Sequence, residues 1–462
     1  MTTERIVDVA ALVDGRRLNW FSVRLVIFAF LIVVSDGFDI NGVAYIGPQL
    51  IADWHIAPSD LTQPFVASLL GILVGAPVFG HIGDRHGRKL TIILALLIYG
   101  IFTWAATLCR SVPELTILRF LTGIGLGALF PNIIALVAEF APRRLRGTMI
   151  ILMFTGVSFG GATPGPIAAW LVPAYGWQIL FTIGGVVPLL VAGVCVFGLP
   201  ESVKYLTLKG KRDRVMRLLS AMRGDLHFTP ETRFVIEGER QAARFSPRLL
   251  FAGRLALITP LLWLLFVINL MGYFFLISWT PTLLASAHLP PTEVAFANTA
   301  FQLGGVLGGW SVCRPMDRFG VAPLTLLFAL AAPIIGAIGY LSAADARLML
   351  AFVLLAGFCV LGIQFGINAL SGMIYPTSFR SNGSGWAFAV GRIGSIAGLF
   401  IGGHLIALHI PIATLYIVAA LPFLLGAVAC RRLSRAYAAE FRGSAGAPTL
   451  LPRPLADLPP AQ

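Results

Sequence analysis

Long apolar runs broken by short polar stretches divide the chain into twelve segments. A helix crossing a bilayer needs about 20 mostly apolar residues. Runs that meet this rule lie near 22–48, 61–81, 90–109, 114–140, 147–171 and 178–199. A second set lies near 254–280, 292–313, 321–342, 347–372, 379–407 and 411–430. A polar, basic stretch over 200–253 separates them, giving two six-helix bundles over 1–199 and 254–435. Its start, from Glu201 through Arg217, reads as a basic amphipathic helix lying on the membrane face. Residues 436–462 read as a tail, expected to be disordered past Gly443, where Pro, Ala and Leu dominate. The expected class is an all-α membrane protein with twelve transmembrane helices. Residues 1–21 are polar and the first apolar run is too long for a cleavable signal, so that run is expected to serve as its own targeting signal.

Composition supports a lipid environment. Hydrophobic residues make up 57% of the chain and charged residues 12%, about half the charged share of a soluble domain. The 49 glycines suit helices that pack closely inside a membrane. The net charge of +13 would suggest nucleic acid on a soluble domain, but its distribution argues for topology. With both termini cytoplasmic, 30 of the 34 Lys and Arg fall on the cytoplasmic side, as the positive-inside rule requires. Arg110 and Arg347 fall opposite, and Arg119 and Arg392 lie inside spans. No nucleic-acid partner is implied. The five cysteines are scattered without metal-ligand spacing and read as small packing residues.

The two halves repeat. Asp84-Arg85-His86-Gly87 follows span 2, and Asp317-Arg318-Phe319-Gly320 follows span 8, 233 positions later. Pro142 and Arg146 precede span 5, and Pro376 and Arg380 precede span 11, 234 positions later. Two landmarks with nearly one offset argue for a duplicated six-helix unit. The stretch Gly80-His81-Ile82-Gly83-Asp84-Arg85-His86-Gly87-Arg88-Lys89 resembles the loop 2–3 signature of the major facilitator superfamily. That resemblance implies two pseudo-symmetric halves with a substrate site between them near the midplane. Physically, the stretch is a tight turn that sets a carboxylate among cations at helix ends. Asp84 is expected to meet a helix N-terminus, Arg146 or Arg380. Gly80, Asp84, Arg85, Gly87, Arg88, Arg146, Asp317, Arg318 and Arg380 are therefore candidates for an inner gate.

Four charges lie deep in spans: Asp36 and Asp39 in span 1, Arg119 in span 4 and Arg392 in span 11. Each costs about 2.5–3.5 kcal/mol on insertion scales and is a functional candidate by default, unless the acids and cations simply pair to hold helices together. Asp36 and Asp39 stand three apart on one helix face. Two carboxylates so close in a low dielectric do not both ionise easily, which suits a proton carrier. Arg119 and Arg392 keep their charge, and their planar heads match a carboxylate. Asn41, Tyr45, Tyr273, Gln302, Gln364, Asn368 and Trp386 are candidates for the rest of a binding cavity, although aromatic and amide residues in spans also pack and bridge helices.

Asp36-Gly37-Phe38-Asp39 resembles the D-G-x-D signature of the aromatic acid:proton symporters, the group containing 4-hydroxybenzoate transporters. Arg119-Phe120-Leu121-Thr122-Gly123-Ile124-Gly125-Leu126-Gly127 with Pro131-Asn132 is similar to that group's span 4. Tyr375-Pro376-Thr377 through Arg380, Gly385-Trp386 and Gly391-Arg392-Ile393-Gly394 resemble its span 10–11 region. The resemblance implies that Asp36 and Asp39 support proton coupling and that Arg119 and Arg392 bind substrate. Ile40-Asn41-Gly42-Val43-Ala44-Tyr45 departs from that pattern, because Asn41 and Tyr45 stand where small or apolar residues are expected. The expected function is proton-coupled import of an aromatic carboxylate by alternating access across a bacterial inner membrane. The expected partners are that carboxylate, the proton and the bilayer, with no cofactor beyond the coupling proton and a monomeric chain. Export of an organic anion by antiport, or a transporter-like receptor for aromatic acids, would also use these residues. An enzyme is not expected, since no nucleophile–base pair, metal cluster or phosphate-binding loop is legible.

Overall fold

The computed structural model describes residues 6–8, 12–13, 19–142, 146–222, 232–235, 247–253, 255–287, 289–375 and 380–442. The tail expected to be disordered past Gly443 lies outside them. Within lipid the backbone must satisfy its own hydrogen bonds, and each apolar run does so by coiling. The N-terminal half consists of α1 (Trp20–Trp54), α2 (Thr62–His86), α3 (Arg88–Ala105), α4 (Val112–Phe140), α5 (Arg146–Ala162), α6 (Pro164–Tyr175) and α7 (Gln178–Gly198). The connecting stretch holds α8 (Val203–Leu208) and α9 (Arg212–Met222). The C-terminal half consists of α10 (Leu255–Ser286), α11 (Pro291–Phe319), α12 (Ala322–Ala344), α13 (Ala346–Ile374), α14 (Arg380–Ala407) and α15 (Ile412–Arg442). Ten helices are long and apolar enough to cross a membrane by length and composition. The α5–α6 pair and α11 fill the fifth and eighth places, so among the described residues every expected span has its helix.

Helix ends overrun the apolar cores. The first span starts at Trp20, where the Asn19 side chain accepts a hydrogen bond from Ser22 N at 3.3 Å. The last continues to Arg442, beyond the 435 limit expected for the bundle. The single amphipathic helix expected over 201–217 is two helices, interrupted at the Lys209–Gly210 turn. The second of them buries Val215, Leu219 and Met222 and is tied to the start of α1 through Asn19 Nδ2, which donates to Met222 O at 2.7 Å. Its apolar face thus packs on protein. A short parallel pair, β1 (Ile6–Asp8) with β2 (Arg233–Val235), joins the N-terminal segment to the same connecting stretch.

The sequence repeat reappears as a repeat of packing. In the first half α2 packs on α4, α3 on α7 and α1 on α5; in the second, α11 packs on α13, α12 on α15 and α10 on α14. These are the same span pairs, 2 with 4, 3 with 6 and 1 with 5, counted within each half. Small residues permit the closest approaches. A Cβ added at Gly308 of α11 would land on the carbonyl oxygen of Phe358 in α13.

Because each half is spanned six times, both ends of each half lie on one face of the membrane. The connecting stretch lies there too, and we call this the linker face and the other the distal face. Contacts between halves gather distally and at mid-membrane. Phe65 of α2 meets Trp279 of α10 edge-on at 5.6 Å, Thr62 abuts Gly403 of α14, and Gly47 of α1 faces Thr282 of α10. The distal side is closed. On the linker side of mid-membrane, Gln364 and Asn368 of α13 and Arg392 of α14 remain half-buried.

Span 5 breaks for a chemical reason. Pro164 and Pro166 have no N–H, so the carbonyls of Gly160 and Ala162 lose their helical donors. Thr163 Oγ1 donates to Gly160 O at 2.7 Å. Ala162 O is reached across the interface between halves, by Thr299 Oγ1 of α11 at 2.9 Å.

The Gly308→Val substitution is expected to destabilise the C-terminal half by about 1–3 kcal/mol, because overpacking against backbone has no side chain to yield. Fluorescence-detected size exclusion after a temperature series should show a lower melting midpoint than wild type, and an unchanged midpoint would contradict this packing.

Candidate substrate and proton site

The four intramembrane charges do not form one cluster of equivalents. Asp39 and Arg119 are fully engaged with each other. Arg119 Nη1 donates to Asp39 Oδ1 at 2.9 Å and Nη2 to Oδ2 at 2.7 Å, a fork-on-fork pair with side chains 3% and 1% exposed. Thr103 Oγ1 of α3 donates to Asp39 Oδ1 at 3.2 Å, and Arg119 Nη2 reaches Ser68 Oγ of α2 at 3.4 Å. The pair therefore knits α1 to α2, α3 and α4 within one half. Arg119, expected to face substrate, has only Nε without a partner among the described residues.

Asp36, one turn earlier, is different. It is buried, and neither carboxylate oxygen has a hydrogen-bond partner. The charges it faces are Asp39 and Arg392. Arg392 in turn faces Asp36 and Tyr273, and makes no hydrogen bond or ion pair among the described residues. Asp36 and Arg392 come from opposite halves and lie within electrostatic reach of each other, with no hydrogen bond or ion pair between them. Charges left without a partner in a low dielectric are costly, which sets these two apart from Asp39 and Arg119.

Above this pair, on the distal side, amides bridge the halves. Gln302 Nε2 of α11 donates to Asn41 Oδ1 of α1 at 2.7 Å, and Asn298 Nδ2 approaches the same oxygen at 3.4 Å. Asn41 Nδ2 turns back to Gly37 O at 2.8 Å. The Tyr273 hydroxyl approaches Gln302 and Asn41, and that of Tyr45 lies beside Asn298 and Thr299. Below it, Asn269 Nδ2 of α10 donates to Gln364 Oε1 at 2.9 Å, and Gln364 Nε2 donates to Asn368 Oδ1 at 2.9 Å. These expected binding residues thus form two polar strings flanking Asp36 and Arg392. Trp386 does not join them. It stacks on Trp263 at 6.2 Å, six residues before Arg392 and near the linker end of α14, where Phe251 extends the aromatic row. Ser68, Thr103, Asn298 and Thr299 belong to the site's support and were not singled out from sequence. Lone hydroxyl and amide residues in apolar helices carry no pattern that marks them. Among the described residues no three metal-ligating side chains gather.

Comparison with known proteins identifies the architecture. The model of the Major Facilitator Superfamily matches residues 29–310 and 262–458. The chain belongs to the major facilitator superfamily. It is 36% identical over 402 residues to the 4-hydroxybenzoate transporter PcaK of Pseudomonas aeruginosa, covering 87% of this chain and 90% of that one. It is 33% identical to a gallate transporter of Pseudomonas putida, covering 92% and 94%, and 31% identical to a benzoate transport protein of Acinetobacter baylyi, covering 92% of both. Within the superfamily it groups with these aromatic-acid carriers, and it is a transporter, not an enzyme. Among solved structures, the xylose transporter XylE from E. coli in a partially occluded inward-open conformation superposes with a TM-score of 0.71. At 17% identity, over 90% of this chain and 98% of that one, the likeness is one of fold.

The superfamily loop after α2 is built as a tie between helix ends. Gly87 adopts φ 107°, and the Glu201 carboxylate packs against its bare α-carbon. Glu201 Oε1 accepts from Lys89 N at 3.1 Å and from Ser202 N at 2.9 Å. Arg88 pairs with Glu139 at 3.2 Å, and Ser202 Oγ donates to Glu139 Oε2 at 2.6 Å. Glu139, Glu201 and Ser202 thus complete a junction of α3, α4 and α7 at the linker face. They were not singled out from sequence. Gly80 has open space where a side chain would point, and Arg85 is exposed. The side chains of Asp84, Arg146, Asp317, Arg318 and Arg380 lie outside the described residues.

Removing one partner of the fork-on-fork pair leaves a buried charge uncompensated, at a cost of about 3–5 kcal/mol. Arg119→Ala is therefore expected to lower the melting midpoint sharply, and the double variant Arg119→Met with Asp39→Leu to restore much of it. Thermal unfolding in detergent measures both, and a single variant as stable as the double one would contradict the assignment.

Proposed function

We propose that this transporter imports an aromatic carboxylate together with protons, by alternating access. The observation that carries the reading is the unsatisfied pair of Asp36 and Arg392, one charge from each half, beside an acid and a cation that satisfy each other. The curated relatives named for 4-hydroxybenzoate, gallate and benzoate transport support the substrate class.

The basic linker face is the cytoplasmic face by the positive-inside rule. Both termini are then cytoplasmic in a bacterial inner membrane, and the state described here, sealed distally, faces inward. In the outward-facing state the substrate carboxylate docks on Arg392 by paired charge-assisted hydrogen bonds. A proton on Asp36 removes the acid that competes for that cation and lets the halves close over a neutralised site. Asp39 and Arg119, bonded to each other, hold the N-terminal wall on which Asp36 is mounted. After rocking, the same charges face the cytoplasm and both cargoes leave. The linker-face ties at Gly87–Glu201 and Arg88–Glu139 hold the N-terminal half rigid as it moves, and the loop acids and cations around Asp84 and Asp317 gate the inner side.

Uptake of radiolabelled benzoate and hydroxybenzoates into expressing cells tests this. Accumulation is expected to be greater at external pH 6 than at pH 8, because the inward proton gradient is larger, and to collapse with a protonophore. Asp36→Asn is expected to abolish accumulation while leaving exchange of preloaded label, and Arg392→Ala to lose both. Accumulation indifferent to the protonophore would defeat proton coupling. Faster loss of preloaded label would mean export, and binding without accumulation would mean a receptor.

A further inference from the structure

Two buried amide oxygens in the C-terminal half are left without donors: Gln302 Oε1 and Asn269 Oδ1. Their orientations are not arbitrary. Asn41 Nδ2 donates to Gly37 O, a backbone carbonyl that can only accept. Asn41 therefore presents its oxygen to Gln302, and Gln302 must answer with Nε2. The atom left over at the end of this string is an acceptor. The same logic holds on α10, where Asn269 Nδ2 donates to Val360 O at 3.1 Å, another obligate acceptor, and to Gln364 Oε1. Buried polar groups are ordinarily satisfied, and one that is not calls for an explanation.

Gln302 is held beside the site by its bond to Asn41, which stands five positions beyond Asp36 on α1. The Tyr273 hydroxyl that approaches it also faces Asp36, and Tyr273 is one of the groups that Arg392 faces. A ligand whose carboxylate occupies Arg392 thus extends toward Gln302 along the Tyr273 side of the site. An unsubstituted aromatic acid, ionised, carries no donor for Oε1. A phenolic ring does.

We propose that Gln302 reads a ring hydroxyl of the substrate through Oε1. This rests on the carboxylate reading above and narrows it. Gln302 is sealed by Asn41 while the distal side is closed. Because the two residues belong to opposite halves, parting of the halves opens their bond and presents the amide to a ligand entering from the distal face.

The test is competition binding on purified full-length protein in lipid nanodiscs, with labelled 4-hydroxybenzoate displaced by 3-hydroxybenzoate, 4-hydroxybenzoate, 4-methoxybenzoate and benzoate. The methoxy acid keeps the ring, the carboxylate and the oxygen but lacks the donor. Wild type is expected to prefer a hydroxy acid over the methoxy acid by about tenfold or more, since a site built to bind a hydroxyl rejects the analogue lacking it. Gln302→Met, which removes the acceptor, should bring that ratio near one. Gln302→Glu, which keeps an acceptor while losing the donor to Asn41, should retain it, separating hydroxyl reading from a merely structural bridge. Equal affinity of wild type for hydroxy and methoxy acids overturns the proposal without recourse to any variant, as does an undiminished preference in Gln302→Met. Failure of every aromatic acid to bind overturns the carboxylate reading instead, and that result looks different from binding without discrimination.

Discussion

A charge inside a bilayer cannot look to water for its partner, and the pairing of Asp39 with Arg119 is how this chain meets that constraint for two of its four buried charges. The pair uses both carboxylate oxygens and both terminal nitrogens of the guanidinium. It also joins α1 to its neighbours, with Thr103 and Ser68 completing the cage. Everything central to the site is positioned from that anchor. With Asp39 fixed, Asp36 is held one turn away on the same helix, at the boundary between halves. Among the described residues, the cation that acts on it is Arg392, across that boundary. The difference follows from partnership more than from residue type: two Asp and two Arg are present, and one of each is satisfied by the other while Asp36 and Arg392 make no hydrogen bond among the described residues.

The bundle's division into halves was legible because lipid imposes a simple rule on every span. Twelve apolar runs, the basic bias and the Asp84/Asp317 and Arg146/Arg380 offsets all reflect constraints that act locally along the chain. The structure returns the same repeat as equivalent helix pairs. Differences appear where tertiary contact decides. The helix ends extend beyond the apolar cores because capping and protein contact can stabilise turns outside lipid, as Asn19 and Met222 do. The amphipathic segment after α7 found protein for its apolar face, which periodicity alone does not distinguish from a lipid surface.

At the site the limit of legibility was pairing. Sequence identified Asp36, Asp39, Arg119 and Arg392 as charges needing a reason, and left open whether they hold helices or serve function. Asp39 takes Arg119, Asp36 and Arg392 make no hydrogen bond among the described residues, and nothing in the spacing says which acid takes which cation. Asn41 stood out as a departure from the family pattern, yet its partner Gln302 lies 261 positions away, and the bond between them depends on how two independently folded halves abut. Trp386 reads from composition as cavity lining, but an aromatic residue near a helix end can satisfy its ring on any neighbouring ring, and Trp263 is there.

The proline pair in span 5 gives the closed distal face an energetic preference. Ala162 O has lost its helical donor to Pro166, and its replacement is a hydroxyl on the opposing half. Separation of α5 from α11 withdraws that hydroxyl, and an uncompensated carbonyl at this depth is unfavourable. Water is the remaining donor, so the distal-open state is one that must be hydrated at the break. The empty protein is thereby biased toward the closed distal face, and the same bond helps keep water from the break.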